Sequence, residues 1–185
     1  MNPELSDDLR QIEALKADAR ALVTGLAEDE FNRRPGPNRW SAAECLDHLN
    51  AIRKFFPAID RMIDDAERRE LVSPGPFRYG WFARWNVRAM EPPPRFRIRT
   101  VKMLLPRDTP LDADQVLREF LELRDQLAGR VRRADGLDLQ RAIVVSPVTR
   151  FFRLPLGAYF AFLLAHDRRH LWQARQVLAE LQRRH

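Results

Sequence analysis

The strongest constraint on the fold is that apolar residues recur every three or four positions along four long stretches of the chain. This spacing places them on one side of an α-helix, because a helix turns once every 3.6 residues. Signals for strands are short by comparison: an apolar run at 143–145 and an alternating segment at 95–99. We therefore predict an all-α protein, an up-and-down four-helix bundle that forms one domain over residues 1–185.

Local signals mark several helix ends. Ser41 and Glu44 form a capping box, in which each side chain hydrogen bonds to the backbone amide of the other residue. Asp112 and Gln115 repeat this pattern at the start of the third helix. Pro57 removes a hydrogen bond inside the second helix, so we expect a kink or a break near residues 54–56. The four long helices are predicted over residues 5–26, 41–69, 112–134 and 154–181.

The connections are recognised by proline and glycine. Residues 31–39 are predicted to be a loop. Residues 71–111 form a long irregular insertion between the second and third long helices, and insertions of this length are often lids or partner contacts. Within it, residues 77–90 are predicted to form a short helix. We expect that helix to pack through its aromatic side chains, which are Trp81, Phe82 and Trp85.

Composition limits the class of protein. A chain of 185 residues suits one domain with a full core, and no apolar run is long enough for a transmembrane helix. The single cysteine, Cys45, excludes an internal disulfide framework and fits the reducing cytoplasm. The acidic, polar first residues are unlike a signal peptide. The net charge is +6, and the arginines that produce it are scattered among acidic residues, so nucleic-acid binding is not indicated. We expect neither a nucleic-acid nor a membrane partner.

Two of the four histidines, His166 and His170, lie four residues apart in a run without glycine or proline. On a helix these side chains lie one above the other, so both imidazoles could bind one transition metal ion. By itself the spacing is more often that of two solvated or hydrogen-bonded histidines. A metal site needs a third ligand, and His48 on the inward side of the second helix is the candidate. Three imidazoles would leave coordination positions open, which is typical of a catalytic zinc site.

Three further residues are candidates for catalytic roles near these histidines. Tyr159 and Gln173 fall on the same side of the fourth helix as the histidine pair and could orient a substrate. Glu44 could act as a base, although its capping role competes for the same carboxylate. Cys45 could be a fourth ligand or a redox thiol, but a small buried residue is the more common role at such a position.

The arginines of the insertion could form a separate anion site. Three of them alternate with apolar residues in one extended segment, and guanidinium groups on one side of it would suit a carboxylate or a phosphate. A solvated loop pinned by its apolar side chains is the simpler interpretation. The arginines concerned are Arg95, Arg97 and Arg99.

Two segments together resemble the DinB-like (DinB/YfiT-type) superfamily of metalloproteins. They are 40–49 (Trp-Ser-Ala-Ala-Glu-Cys-Leu-Asp-His-Leu) and 166–173 (His-Asp-Arg-Arg-His-Leu-Trp-Gln). In that four-helix family a tryptophan-serine helix start leads to the first metal histidine, and a C-terminal His-x-x-x-His supplies two more. The resemblance therefore implies that His48, His166 and His170 bind a divalent transition metal. Zinc or nickel is the first choice, and manganese or iron is the second.

The resemblance also implies an activity. Family members with assigned reactions include transferases and isomerases that use low-molecular-weight thiols such as bacillithiol, mycothiol or glutathione. We therefore expect a metal-dependent transferase or hydrolase that activates such a thiol, or water, against a small-molecule substrate. A non-catalytic metal-binding or ligand-binding bundle is the alternative. The family often dimerises, and exposed Trp81, Trp85 and Phe96 would offer a homodimer surface.

Overall fold

The computed structural model describes residues 1–94, 100–108 and 110–183, and these residues are mainly helical. The all-α class is therefore confirmed, apart from one small antiparallel pair of strands in which Val144 lies opposite Leu154. None of the helices in the described ranges is long and apolar enough to span a bilayer. The elements are α1 (Pro3–Val23), α2 (Glu28–Asn32), α3 (Ala42–Asn50), a 3-10 turn (Ala51–Lys54), α4 (Phe56–Arg68), α5 (Trp81–Met90), a second 3-10 turn (Lys102–Leu104), α6 (Ala113–Arg133), β1 (Ile143–Val145), β2 (Arg153–Pro155) and α7 (Leu156–Gln182).

Four helices enclose the main core. Helix α1 packs against α6 and α7, and α3 packs against the same two helices. Their apolar stripes meet inside, where fully buried side chains from all four interlock, as the periodicity predicts. The up-and-down bundle remains a prediction for this arrangement. Side chains at the centre of this core include Leu5, Ile12, Leu46, Phe120 and Phe160.

The capping box and the proline break are both confirmed. The Ser41 amide donates to Glu44 Oε2 at 2.9 Å, and the Glu44 amide donates to Ser41 Oγ at 3.1 Å. The predicted second helix is divided into α3 and α4 by the 3-10 turn Ala51–Lys54, and Pro57 lies in the first turn of α4. Proline is tolerated there because first-turn amides have no acceptor within the helix.

The loop predicted over residues 31–39 is wrong at its first two positions. Phe31 and Asn32 end the short helix α2, whose first turn carries Glu28, Asp29 and Glu30. Acidic side chains stabilise a helix N-terminus. A five-residue helix has little stability of its own. Phe31 is fully buried, so its packing in the core stabilises this helix.

The packing face predicted for the helix in the insertion is also wrong. Trp81, Phe82 and Trp85 are 74%, 42% and 53% exposed, whereas Ala83 and Asn86 are buried on the side of α5 that meets α7. The arginines predicted as an anion site, Arg95, Arg97 and Arg99, and the predicted dimer residue Phe96 lie outside the described residues.

Candidate metal centre

The three candidate histidines come together between two packed helices. His48 lies near the end of α3, and His166 and His170 lie one turn apart in α7. Each offers one ligand nitrogen, and these atoms lie within 4.8 Å of one another. The Nε2 atoms of His48 and His166 are 3.2 Å apart. Two nitrogens bound tetrahedrally to zinc, at about 2.0–2.1 Å each, are about 3.3–3.4 Å apart, so the spacing of this pair fits one shared ion.

A backbone carbonyl fixes the protonation of His48. The Leu104 oxygen lies 2.6 Å from His48 Nδ1. A carbonyl oxygen only accepts hydrogen bonds, so Nδ1 carries the ring proton. The other nitrogen, Nε2, then carries a lone pair directed at His166 Nε2, which is the state of a metal-binding imidazole.

His170 carries an unsatisfied nitrogen. Its Nδ1 is buried and has no hydrogen-bond partner within the described part of the chain. Gln173, one turn further along α7, hydrogen bonds to the His170 ring. Leaving a buried polar atom unpaired is costly, and a bound cation would remove that cost.

The surroundings keep all three imidazoles neutral. Burial lowers the pKa of His48, and the Leu104 carbonyl only partly opposes this. Burial, followed by the proximity of His170 and His48, lowers the pKa of His166 well below its usual value. Burial, followed by the charge of His48 and Arg169, lowers the pKa of His170 to about 3. Neutral imidazole is the form that binds metal, and it suits several transition ions.

The histidines line a cleft of about 920 Å³. Trp40, which precedes the capping box, has its ring 4.9 Å from that of His48 and 5.9 Å from that of His170. The tryptophan therefore forms a wall beside the imidazoles. Other apolar lining residues include Ile52, Phe55, Leu104 and Phe162.

Comparison with known proteins gives this arrangement a family. The model of the DinB superfamily matches residues 11–174, a range that contains all three histidines. The chain belongs to the DinB superfamily. It is similar to the uncharacterized protein YuaE of Bacillus subtilis (strain 168), with 24% identity over 162 residues, which cover 87% of this chain and 91% of that protein. The comparison with solved structures finds no significant match.

A buried ion pair supports the site of this DinB-superfamily protein and was not predicted from the sequence. Asp167, next to His166, accepts from Arg124 Nε at 2.8 Å and from Arg124 Nη2 at 2.5 Å. The same guanidinium donates to the Leu49 carbonyl at 3.2 Å, one residue beyond His48. Helix α6 is thus fastened to α3 and α7 directly beside the ligands. The position of Arg124 within the apolar stripe of α6 is the signal that could have revealed it.

The predicted catalytic candidates occupy three different settings. Gln173 lines the cleft and bonds to His170. Tyr159 is buried and hydrogen bonds with Ser146, which lines the cleft, and burial raises the pKa of the Tyr159 hydroxyl. Glu44 accepts from Arg34 and from the Ser41 amide. Burial alone would raise the pKa of the Glu44 carboxyl, but these partners hold it below its usual value.

Cys45 has the surroundings of a core residue. It is fully buried, and it is absent from the histidine group among the described residues. Burial is the main cause that raises the pKa of its thiol, and the nearby charge of Glu44 raises it further. The side chain therefore stays protonated, which suits packing rather than nucleophilic attack.

Proposed function

We propose that this protein is a metal-dependent enzyme, a transferase or hydrolase, that activates a low-molecular-weight thiol or water against a small-molecule substrate. The observation that carries the proposal is the convergence of three neutral imidazoles within 4.8 Å of one another at a cleft of about 920 Å³. Three protein ligands leave a coordination position for a reactant. Zinc or nickel fits this donor set, and manganese or iron is the next choice.

The protein residues have distinct parts in this proposal. A bound divalent ion lowers the pKa of a thiol or water, so that a nucleophile is available near neutral pH. His48, His166 and His170 hold the ion and add no charge to it. Gln173 orients His170 through its hydrogen bond and presents its amide to the cleft, where it can orient the substrate.

The cleft lining favours a substrate with an apolar part. Trp40, Phe55 and Phe162 exclude water around the site. Arg169 brings positive charge to the same cleft, and Arg39 also lines it, with its guanidinium paired to Glu180 at 2.7 Å. That charge suits a thiol that carries carboxylates.

Tyr159 and Glu44 are proposed to assist from outside the cleft. Tyr159 acts through its bond to Ser146, and Glu44 holds the start of α3, on which His48 lies.

We also propose an up-and-down arrangement of the four core helices, a cytoplasmic location, and a homodimer that uses the exposed side chains of Trp81 and Trp85. Light scattering that detects only monomer at high concentration would contradict the dimer.

A thiol assay tests the activity. Protein loaded with zinc or nickel is incubated with bacillithiol, mycothiol or glutathione and the electrophile monochlorobimane, and thiol consumption is followed. We expect consumption that depends on metal and is lost in His48→Ala, with circular dichroism showing that the variant is folded. Metal-loaded protein that turns over neither a thiol nor a hydrolysable ester faster than His48→Ala would favour the non-catalytic metal-binding bundle.

A further inference from the structure

One short segment of the insertion touches two neighbouring residues of α3. The 3-10 turn Lys102–Leu104 brings the Leu104 carbonyl to 2.6 Å from His48 Nδ1. Three residues later, Arg107 contacts Asp47, which directly precedes His48. The segment therefore bonds to the candidate ligand and is anchored beside it.

The anchor consists of three hydrogen bonds to one carboxylate. The Arg107 amide donates to Asp47 Oδ2 at 2.7 Å. Arg107 Nε and Nη2 donate to Asp47 Oδ1 at 2.9 and 2.6 Å. The Asp47 side chain is 4% exposed and that of Arg107 is 45% exposed, so water screens this pair only in part, and a planar guanidinium fixes direction as well as distance.

A second contact completes the anchor on α6. Arg107 Nη1 donates to Glu119 Oε1 at 3.1 Å, so one guanidinium joins the insertion to α3 and α6. Lys54 also donates to the Met103 carbonyl, but this contact is solvent-exposed. Arg107, whose side chain is 45% exposed, is thus the residue nearest to Leu104 along the chain that bonds to a buried carboxylate.

We infer that Arg107 is a positioning residue for the metal centre, because its grip on Asp47 fixes the carbonyl that orients His48. The carbonyl keeps the proton on Nδ1 and turns Nε2 toward His166. Hydrogen-bonded partners of this kind hold the tautomer and the ring orientation of metal-binding histidines. The inference rests on the proposed metal site, and it explains why the insertion approaches α3 at this point.

The test compares Arg107→Ala with Arg53→Ala. Arg53 is the matched control because it pairs with the same Glu119 at 2.7 Å but donates to the Asn50 carbonyl of α3 rather than to Asp47. Imidazole ¹⁵N NMR of metal-free protein reports the tautomer of His48, and competition with a chelator gives the zinc dissociation constant. We expect the Nδ1–H tautomer in wild type and Arg53→Ala. In Arg107→Ala we expect mixed tautomers and zinc binding weakened roughly 10–100-fold.

A third variant, Asp47→Ala, distinguishes loss of the anchor from a general destabilisation of the insertion. If the grip on Asp47 is the cause, Arg107→Ala should add little further loss of zinc affinity in an Asp47→Ala background. Arg107→Ala that keeps the wild-type tautomer and zinc affinity would overturn the inference. Wild-type protein that binds no zinc would refute the proposed function instead, and the tautomer measurement would still decide whether Arg107 positions His48.

Discussion

Asp8 on α1 is a carboxyl that the fold buries without full compensation. It is 4% exposed, and its Oδ2 has no hydrogen-bond partner in the described ranges. Burial, followed by the charges of Glu4 and Asp7, raises the pKa of Asp8 from 3.8 to about 7, and Arg168 opposes the shift. Between pH 3.8 and about pH 7, the folded protein therefore keeps a proton on Asp8 that the unfolded chain has released.

This difference predicts a pH-dependent stability. Because the folded state binds the extra proton, the free energy of unfolding falls as pH rises from 4 to 7. The Asp8→Asn variant removes this loss. We expect it to match wild type near pH 4 and to be more stable at pH 8, by at most about 4 kcal/mol. Urea unfolding at pH 4, 6 and 8 measures the difference, and a difference that does not change with pH would contradict the account.

The buried pair of Arg124 and Asp167 has an energetic consequence of a different kind. Their side chains are 0% and 1% exposed, so Arg124→Ala would leave an uncompensated buried carboxylate. We expect the free energy of unfolding to fall by about 3–5 kcal/mol. Arg133→Ala is the control, because Arg133 pairs with Asp64 and Glu67 on the surface, where such pairs contribute at most about 1 kcal/mol. Equal losses in urea unfolding would contradict the distinction.

At the scale of elements, the start of α7 depends on a glycine that leaves space for a tyrosine. A Cβ added at Gly157 would lie 1.9 Å from the Tyr79 hydroxyl and 2.7 Å from Glu4 Oε1. These two groups are joined by a hydrogen bond of 2.6 Å. An alanine would therefore displace Tyr79 and detach the residues before α5 from α1.

Two glycine-to-alanine variants test this packing. We expect Gly157→Ala to lower the free energy of unfolding by about 1–3 kcal/mol, as overpacking does. Gly129→Ala, where nothing lies within 4 Å on an exposed turn of α6, should raise it by about 0.5–1 kcal/mol through helix propensity. Chemical denaturation compares both variants with wild type. Stabilisation by both substitutions would show that Tyr79 moves aside without cost.

The sequence predicts those features of the elements that depend on local chemistry. The capping box at Ser41 and the break at Pro57 follow from hydrogen bonds within a few residues, and both are confirmed. The buried side of α5 depends on α7, which is distant in sequence. Ala83 is buried on the side that meets α7 and Trp81 is exposed, the reverse of what the hydrophobicity of the two side chains predicts.

The candidate site also has some features that the sequence predicts and others that appear only once the chain is folded. The four-residue spacing of His166 and His170 is visible in the sequence, the inward face of the second helix makes His48 the candidate third ligand, and the resemblance supports all three. The hydrogen bond to His48 from the Leu104 carbonyl leaves no side-chain pattern, because every residue has a carbonyl. Its anchor, Arg107, lies 60 positions from Asp47 and resembles any surface arginine before the chain is folded.

For the whole molecule, metal binding and folding are coupled. The ligands come from α3 and α7, so an ion binds the folded state and joins two packed helices. At zinc concentrations 100-fold above the dissociation constant, the free energy of unfolding should rise by about 2.7 kcal/mol. Thermal unfolding with and without zinc measures this effect in wild type and in His170→Ala, in which we expect it to be largely lost. Equal stabilisation of both proteins would place the bound ion elsewhere.

Elemental analysis of untagged protein tests the central claim most directly, with wild type compared with His166→Ala. The account predicts one equivalent of a transition metal in wild type and its loss in the variant, with helical content unchanged by circular dichroism. Wild-type protein without metal, and without uptake of zinc, nickel or manganese on titration, would contradict it. The three histidines would then be core residues of a helical protein.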